Sequence, residues 1–363
     1  MVLAEPKPFR TLWEIKDGIQ VIDQRKLPHH FEVVDIFTLE QSVWAIKEMV
    51  VRGAPLIACT GAYALYFGLL EAKKTSDLSN ILTAIRKSRP TAVNLFNTLD
   101  RMEQELAPLQ ELGEMQKKAL ELARMIVEED VEICRNIGVQ GLPLLEEIYR
   151  NNPNRPVQIL THCNAGMLGC IEWGTISSPI YQAKEKGIPV HVWVDETRPR
   201  NQGANLTAWE LTKHGIDHTV IVDNTGGHLM QHGLVDICIV GADRVTRNGD
   251  TANKIGTYLK ALAAKDNAVP FYIALPSTTI DWNSFDGLKE IEIEERHEDE
   301  VKYVWGAKED GNLEKVLITP KTSKALNIGF DVTPNRLITG LITDRGVCAA
   351  NEESLLNLFP EKH

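Results

Sequence analysis

Cys163 is the first residue of this chain that invites a chemical reading. It stands in Thr161-His162-Cys163-Asn164-Ala165-Gly166, directly after the apolar run Val157 to Leu160. A small-residue pair behind it predicts a helix beginning at Ala165-Gly166. A thiol facing a helix N-terminus would be lowered in pKa and made reactive. An ordinary half-buried cysteine fits the position equally well.

Asp243 follows Gly241-Ala242 at the end of another apolar run, Val235 to Val240. Small residues ahead of a carboxylate let the backbone turn and present it. In an apolar pocket such a carboxyl is pushed up and serves as an acid at neutral pH. From location alone, an aspartate capping the next helix fits slightly better.

Positive groups that suit a phosphate lie earlier in the chain. Arg52-Gly53-Ala54-Pro55 interrupts a helical pattern, with proline placed for the first turn of a new helix. Amides at a helix start beside an arginine make a phosphate cradle. Arg89-Pro90-Thr91 offers a second basic arm, and Asn253-Lys254 a donor and a charge soon after Asp243. Lone arginines and lysines are more often simply solvated.

The elements that must position these groups fall into two textures. Up to residue 136 the pattern is mostly helical: Leu39 to Val51, Ala54 to Ala72, Leu78 to Lys87, Ala92 to Leu106, and a charged amphipathic run Glu114 to Ile137 that Gly138 and Gly141 should end. From 137 to 363, short Val- and Ile-rich runs alternate with helical segments. The runs are Val157 to Leu160, Ile188 to Val194, Thr219 to Val222, Val235 to Val240 and Phe271 to Leu275. Near-continuous apolar strands between helices predict a doubly wound parallel sheet, an α/β domain of Rossmann-like kind. Each run ends in small or polar residues, including Asp195-Glu196-Thr197-Arg198-Pro199, Asp223-Asn224-Thr225-Gly226-Gly227 and Pro276-Ser277-Thr278-Thr279. Open parallel sheets bind ligands outside their strands' carboxyl ends, so these segments should converge there.

Composition excludes several classes of function. The net charge of −11 over 363 residues argues against nucleic acid as a partner, which needs a basic face. No apolar stretch reads as long enough to span a bilayer, and residues 1–10 lack the apolar core of a signal peptide; a cytoplasmic location is the expectation. The six cysteines form no C-x-x-C pair, against a disulfide framework or zinc knuckle. No glycine fingerprint follows a strand, and there is no P-loop, G-x-S-x-G or H-E-x-x-H. Gly241 to Asp250 lacks the alternating acids of a calcium loop. The acidic run Glu290 to Glu300 reads as a solvated face. The residues by themselves say small phosphorylated ligand and enzyme, and name no reaction.

The ordered motifs carry more. Arg52-Gly53-Ala54-Pro55, Ser88-Arg89-Pro90-Thr91-Ala92-Val93-Asn94, Thr161 to Gly166, Asp195 to Pro199, Gln202-Gly203-Ala204, Leu206 to Leu211, Gly241 to Arg244 and Gly249 to Thr257 occur in that order. Together they resemble the methylthioribose-1-phosphate isomerase family of methionine salvage, over almost the whole chain. The resemblance implies a helical N-terminal domain, a Rossmann-like C-terminal domain, a fold shared with regulatory subunits of a translation-initiation exchange factor, and usually a homodimer. It implies Cys163 as catalytic cysteine and Asp243 as proton donor. Arg52, Gly53, Ala54, Arg89, Gln202, Asn253 and Lys254 become substrate contacts, with a small phosphorylated sugar as partner and neither metal nor organic cofactor. Two departures border the motifs. Met167 to Trp173 stands where the family has small residues, and Arg200-Asn201 where it has apolar ones; both bear on which group the sugar carries at C5.

Overall fold

The computed structural model describes residues 9–90 and 92–362. Thr91 of the Ser88 to Asn94 motif, and residues 1–8 of the N-terminal reading, lie outside the described residues. The chain is mixed α/β and divides into two compact units. One comprises the described residues up to Lys26, then Phe31–Arg135 and Gly166–Gly174; the other comprises Leu27–His30, Asn136–Ala165 and the chain from Thr175 onward.

The first unit opens with a three-stranded antiparallel sheet, Leu12–Ile15, Gly18–Ile22 and Val33–Ile36, which the helical reading of this region had no place for. Helices Leu39–Lys47, Ala54–Glu71, Leu78–Ser88 and Val93–Leu106 follow. Thr38 caps the first of them, its Oγ1 accepting the Gln41 N–H at 3.1 Å. Ala54–Glu71 differs from its neighbours in being apolar all round. By length and composition it is able to cross a membrane, contrary to the sequence expectation. It is 72% buried, however, and its Leu56, Ala62 and Leu65 sit in the same core as Leu82, Leu95 and Leu99. That is the surrounding of a central core helix.

The long helix Leu112–Asn151 corrects another expectation: it runs straight through Gly138, Gly141 and Pro143. The two glycines permit close packing instead of ending the helix. A Cβ at Gly138 would lie 2.2 Å from Ser178 Oγ, and one at Gly141 would lie 3.1 Å from Pro179 Cβ. Both neighbours belong to the helix Ser177–Glu185.

The second unit is built on a seven-stranded sheet. Its strands are β1 (Val157–Thr161), β2 (Val190–Asp195), β3 (Asp217–Ile221), β4 (Ile237–Val240), β5 (Phe271–Ala274), β6 (Gly340–Ile342) and β7 (Val347–Cys348), in spatial order β7-β6-β5-β4-β1-β2-β3. All pairings are parallel except β6 with β7. The five apolar runs read from sequence are β1 to β5. Val192, Val194, Ile239, Val240 and Ile273 are fully buried, which is why they read as unbroken apolar stretches.

A second sheet of four strands, Ile280–Asp281, Arg244–Thr246, Thr251–Lys254 and Phe330–Thr333, was not foreseen. Asp243 therefore precedes a strand, and the helix-cap reading of it falls. Asp250, from the supposed calcium loop, is a structural anchor: its carboxylate accepts the N–H groups of Gly287 and Asn335 at 3.1 and 2.9 Å.

Candidate active site

The strand order reverses at β1. The chain passes from β1 to β2 and β3 on one side, then returns to place β4 on the other side. Where connections diverge in this way, a crevice opens outside the carboxyl ends of the two flanking strands. Cys163 leaves the end of β1 and Asp243 leaves the end of β4, and these strands are paired, Ile159 with Ile237 and Leu160 with Cys238. A Cβ at Gly241 would lie 2.4 Å from Ala165 Cβ, so the two strand exits pack directly together.

No helix starts behind Cys163. A short 3-10 turn at Met167–Gly169 comes first, and the next α-helix begins only at Ser177. The intervening segment is held by the first unit: Asp130 Oδ2 accepts the Ile171 N–H at 2.9 Å, Gln24 Nε2 donates to Leu168 O at 2.7 Å, and Thr11 N–H donates to Ile171 O at 2.9 Å. The departure segment Met167 to Trp173 is thus largely part of that unit's interior.

Cys163 is instead set by its backbone. It is 8% exposed and has φ +68°, in the left-handed region that non-glycine residues seldom occupy. Its N–H donates to Thr197 Oγ1 and its carbonyl accepts from Thr207 Oγ1, both at 2.8 Å. Thr197, at φ +66°, has its own N–H on Asp223 Oδ1 at 2.7 Å, and the Arg198 N–H occupies Asp223 Oδ2 at 2.8 Å. Gly203 is required here, because a Cβ on it would come within 1.7 Å of Asp195 O.

Beneath this turn lies a buried polar group that carried no role in the sequence reading. His162 places Nδ1 2.8 Å from Asp195 Oδ2 and Nε2 2.8 Å from Ile255 O. A carbonyl only accepts, so Nε2 carries hydrogen, and a further proton lies between Nδ1 and the carboxylate. Lys260 Nζ is 3.1 Å from the same Asp195 oxygen and also donates to Asp223 O. His162, Asp195, Thr197 and Asp223 all fall in the strand-end segments, which is the signal that marks them. Thr207 and Lys260 lie beyond those segments, and only the fold brings them in.

Asp243 is half-buried, and its N–H donates to Ala252 O at 2.9 Å. That bond joins it to the strand Thr251–Lys254, which carries Asn253 and Lys254. Asn253 Nδ2 donates to Thr257 Oγ1 at 3.0 Å. Lys254 is buried, its Nζ donating to Gly329 O at 2.9 Å and lying 4.4 Å from the centre of the Phe330 ring, so it is no surface lysine. Gln202 is buried too, at the start of a π-helical turn Gly203–Thr207; its Oε1 has no hydrogen-bond partner among the described residues. Such turns recur at ligand sites.

Arg52, Gly53, Ala54 and Arg89 belong to the first unit. Gly53 has φ +90° and immediately precedes the helix Ala54–Glu71, with proline in the first turn. A Cβ on it would lie 2.4 Å from Gly169 Cα, so only glycine fits. Arg52 and Arg89 are half-buried, Arg89 at the end of the helix Leu78–Ser88.

Among the described residues, two side-chain groups have the composition of a metal site, each with ligand atoms within 4.8 Å of one another: His162, Asp195 and Asp223, and Asp130, Cys134 and Cys170. In the first, Lys260 already supplies the cation and both His162 nitrogens are engaged. In the second, a hydrogen bond with Cys170 and burial push the Cys134 thiol well up in the metal-free protein. Arg200, the other departure, is committed to structure. Its Nη1 lies 2.9 Å from Glu300 Oε1. Burial pushes the Glu300 carboxyl up, yet the hydrogen bonds and charge of Arg296, with Arg200 and Asn327, outweigh it and hold the group at about 2. Glu300 is therefore an internal ion-pair residue, not part of a solvated face.

Residues 50–350 match the model of the Initiation factor 2 subunit family. A methylthioribose-1-phosphate isomerase from Desulfatibacillum aliphaticivorans is 53% identical, with 98% of each chain covered. Among solved structures, a 5-methylthioribose 1-phosphate isomerase from Pyrococcus horikoshii OT3 matches with TM-score 0.84 and 36% identity over 97% of this chain and 96% of that one. The translation initiation factor eIF-2B, subunit delta, from A. fulgidus matches with TM-score 0.79 and 36% identity over 97% of this chain and 99% of that one.

Proposed function

The chain belongs to the Initiation factor 2 subunit family and, within it, to the methylthioribose-1-phosphate isomerases, and from that premise we propose how its residues perform the reaction. The chain is an aldose–ketose isomerase of methionine salvage, converting 5-methylthioribose 1-phosphate to 5-methylthioribulose 1-phosphate. The observation that carries the assignment to this site is the placing of Cys163 and Asp243 at the ends of paired strands where the sheet order reverses.

A sugar phosphorylated on its anomeric carbon cannot open freely to an aldehyde. Asp243 acts as general acid, protonating the ring oxygen as its bond to C1 breaks. The hydrogen on C2 then moves to C1, and the C2 hydroxyl gives up its proton as the ketone forms, which returns the Asp243 carboxylate to its acid form directly or through solvent. Cys163 either takes the C2 proton and returns it to C1, or borders the path of a direct hydride shift. The Asp243 amide is tied to Ala252 O, which supports a fixed acid. Gln202, with its unpartnered buried oxygen, and Asn253 suit the sugar hydroxyls. Arg52, Gly53, Ala54 and Arg89 suit the phosphate: Gly53 and Ala54 open a helix beside an arginine. Lys254 is proposed as a contact that also braces the Asn253 strand through Gly329.

The proposal extends to a mostly helical domain with its bridging helix over 1–136 and a doubly wound, Rossmann-like domain over 137–363, to a homodimer and to a cytoplasmic location. Light scattering on purified protein tests the dimer. Turnover of methylthioribose 1-phosphate, beside 5-deoxyribose 1-phosphate and ribose 1,5-bisphosphate and with no added metal, tests the reaction. Strong preference for the first is expected. Preference for either of the others would move the substrate and keep the mechanism, and inactivity on all three would favour a regulatory subunit of the translation-factor kind.

A further inference from the structure

Resting on the reading of Cys163 as the reacting thiol, we propose that Thr197 and Thr207 are positioning residues. Together they hold the Cys163 peptide in its left-handed conformation and so aim the thiol. Each hydroxyl has one hydrogen to give, and in both threonines its direction is settled. Thr197 donates to Asp195 O at 2.9 Å, which turns its lone pairs toward the Cys163 N–H. Thr207 donates to the Cys163 carbonyl, and its lone pair takes Asn164 Nδ2 at 3.1 Å. The amide on one side of the cysteine Cα and the carbonyl on the other are thus pinned by two separate elements, the turn after β2 and the π-helical turn Gly203–Thr207.

Each pin is itself braced. Asp223 takes the backbone N–H groups of Thr197 and Arg198, and Lys260 donates to the Asp223 carbonyl. Behind Thr207, Asn164 Nδ2 also reaches Glu210 Oε1 at 2.9 Å, and Tyr181 Oη donates to the other Glu210 oxygen at 3.3 Å. Thr197 is fully buried and Thr207 is 2% exposed, so water does not replace a missing hydroxyl. Without one, a buried Cys163 N–H or C=O loses the hydrogen bond that it makes here. A non-glycine residue persists at positive φ only where its surroundings over-determine it, and these two hydroxyls hold the peptide groups on both sides of the Cys163 Cα. The proposed substrate contacts Gln202 and Asn253 do not run through either hydroxyl. Loss of a pin should therefore lower kcat and leave KM nearly unchanged.

The test compares Thr197→Val and Thr207→Val, which keep the shape and remove the hydroxyl, with Thr197→Ser and Thr207→Ser, which keep the hydroxyl. On methylthioribose 1-phosphate each valine variant should lose roughly 10- to 100-fold in kcat with KM within about twofold. Each serine variant should stay within about threefold of the parent in kcat. Alkylation of Cys163 by iodoacetamide across pH, followed on its peptide by mass spectrometry, gives a second reading that needs no substrate. Its rate profile should shift in the valine variants and be restored by serine. If the parent protein does not turn over this sugar, the isomerase reading fails while the alkylation profile still decides the positioning role. Valine variants with parental kcat and parental alkylation would overturn the proposal, as would serine variants impaired as much as valine ones. Should Thr197→Val fail to fold, Thr207→Val carries the same test from the carbonyl side.

Discussion

Cys163 in the sheet unit, and Cys134 with Cys170 in the helical unit, are all buried, but the groups around them differ in kind. Cys134 and Cys170 lie with Cys59 near the Asp130 carboxyl, next to the apolar helical core; burial drives the Cys59 thiol well above its ordinary value, and a hydrogen bond with Cys170 together with burial does the same for Cys134. Asp130 responds in the same sense. Its burial outweighs the hydrogen bonds from the Ile171 N–H and Cys134 and pushes its carboxyl up to about 7. Around Cys163, by contrast, the neighbours are hydroxyls, an amide and the His162–Asp195–Lys260 group, and the backbone is held at φ +68°. Burial alone makes a thiol inert; the setting of Cys163 differs in the polar frame that fixes its backbone.

The largest test of that contrast is on activity. Cys163→Ser and Asp243→Asn should each lower kcat by roughly 10³-fold or more with unchanged circular dichroism. Near-parental turnover in either would remove that residue from the catalytic pair. The next concerns pH and Asp130. Its folded value of about 7 stands above the ordinary aspartate value of 3.8, so the native state holds this proton more tightly than the unfolded chain does. Its contribution to stability is complete below pH 3.8 and is lost as pH rises through 7. Urea melts should show Asp130→Asn gaining on the parent by a few kcal/mol between those limits. A difference that does not change with pH would mean that the carboxyl is ionised in the fold.

A smaller effect is expected at the arginines. Arg52→Ala and Arg89→Ala should raise KM by roughly tenfold or more while kcat holds, as loss of a charge-assisted phosphate contact requires; an unchanged KM in both would take them out of the phosphate site. Smallest on activity are Cys134→Ala and Cys170→Ala. Each should leave kcat within about twofold and cost about 1–2 kcal/mol in urea denaturation through the cavity it opens. A large kcat loss in either would erase the distinction between the two thiol settings.

Much of this was legible in the residues. β1, β4 and β5 read as strands because a parallel strand covered on both faces is nearly apolar throughout, while the edge strand β3 is exposed and showed only the short run Thr219 to Val222. β6 escaped because Gly340–Ile342 is three residues long, too short to show a period. Gly138 and Gly141 misled because a glycine that ends a helix and a glycine that admits a neighbour are the same letter. The difference lies in Ser178 and Pro179, which are far along the chain. The helix expected behind Cys163 failed for a similar reason: the segment from Gly166 to Gly174 has partners in Thr11, Gln24 and Asp130 that compete with helix formation there.

Local composition thus determined the class of the sheet and the segments gathered at its edge, because strand periodicity and strand-end chemistry are short-range properties; the pairing of Cys163 with Asp243 came from the ordered motifs as a set. Tertiary structure alone decided that Cys163 is left-handed, that its amide and carbonyl belong to Thr197 and Thr207, that Arg200 is tied to Glu300, and that Lys254 is buried. Each of those depends on a partner 34 or more residues away. Hydrogen-bond partners and burial follow from packing in space, and neighbouring letters in a chain do not carry them.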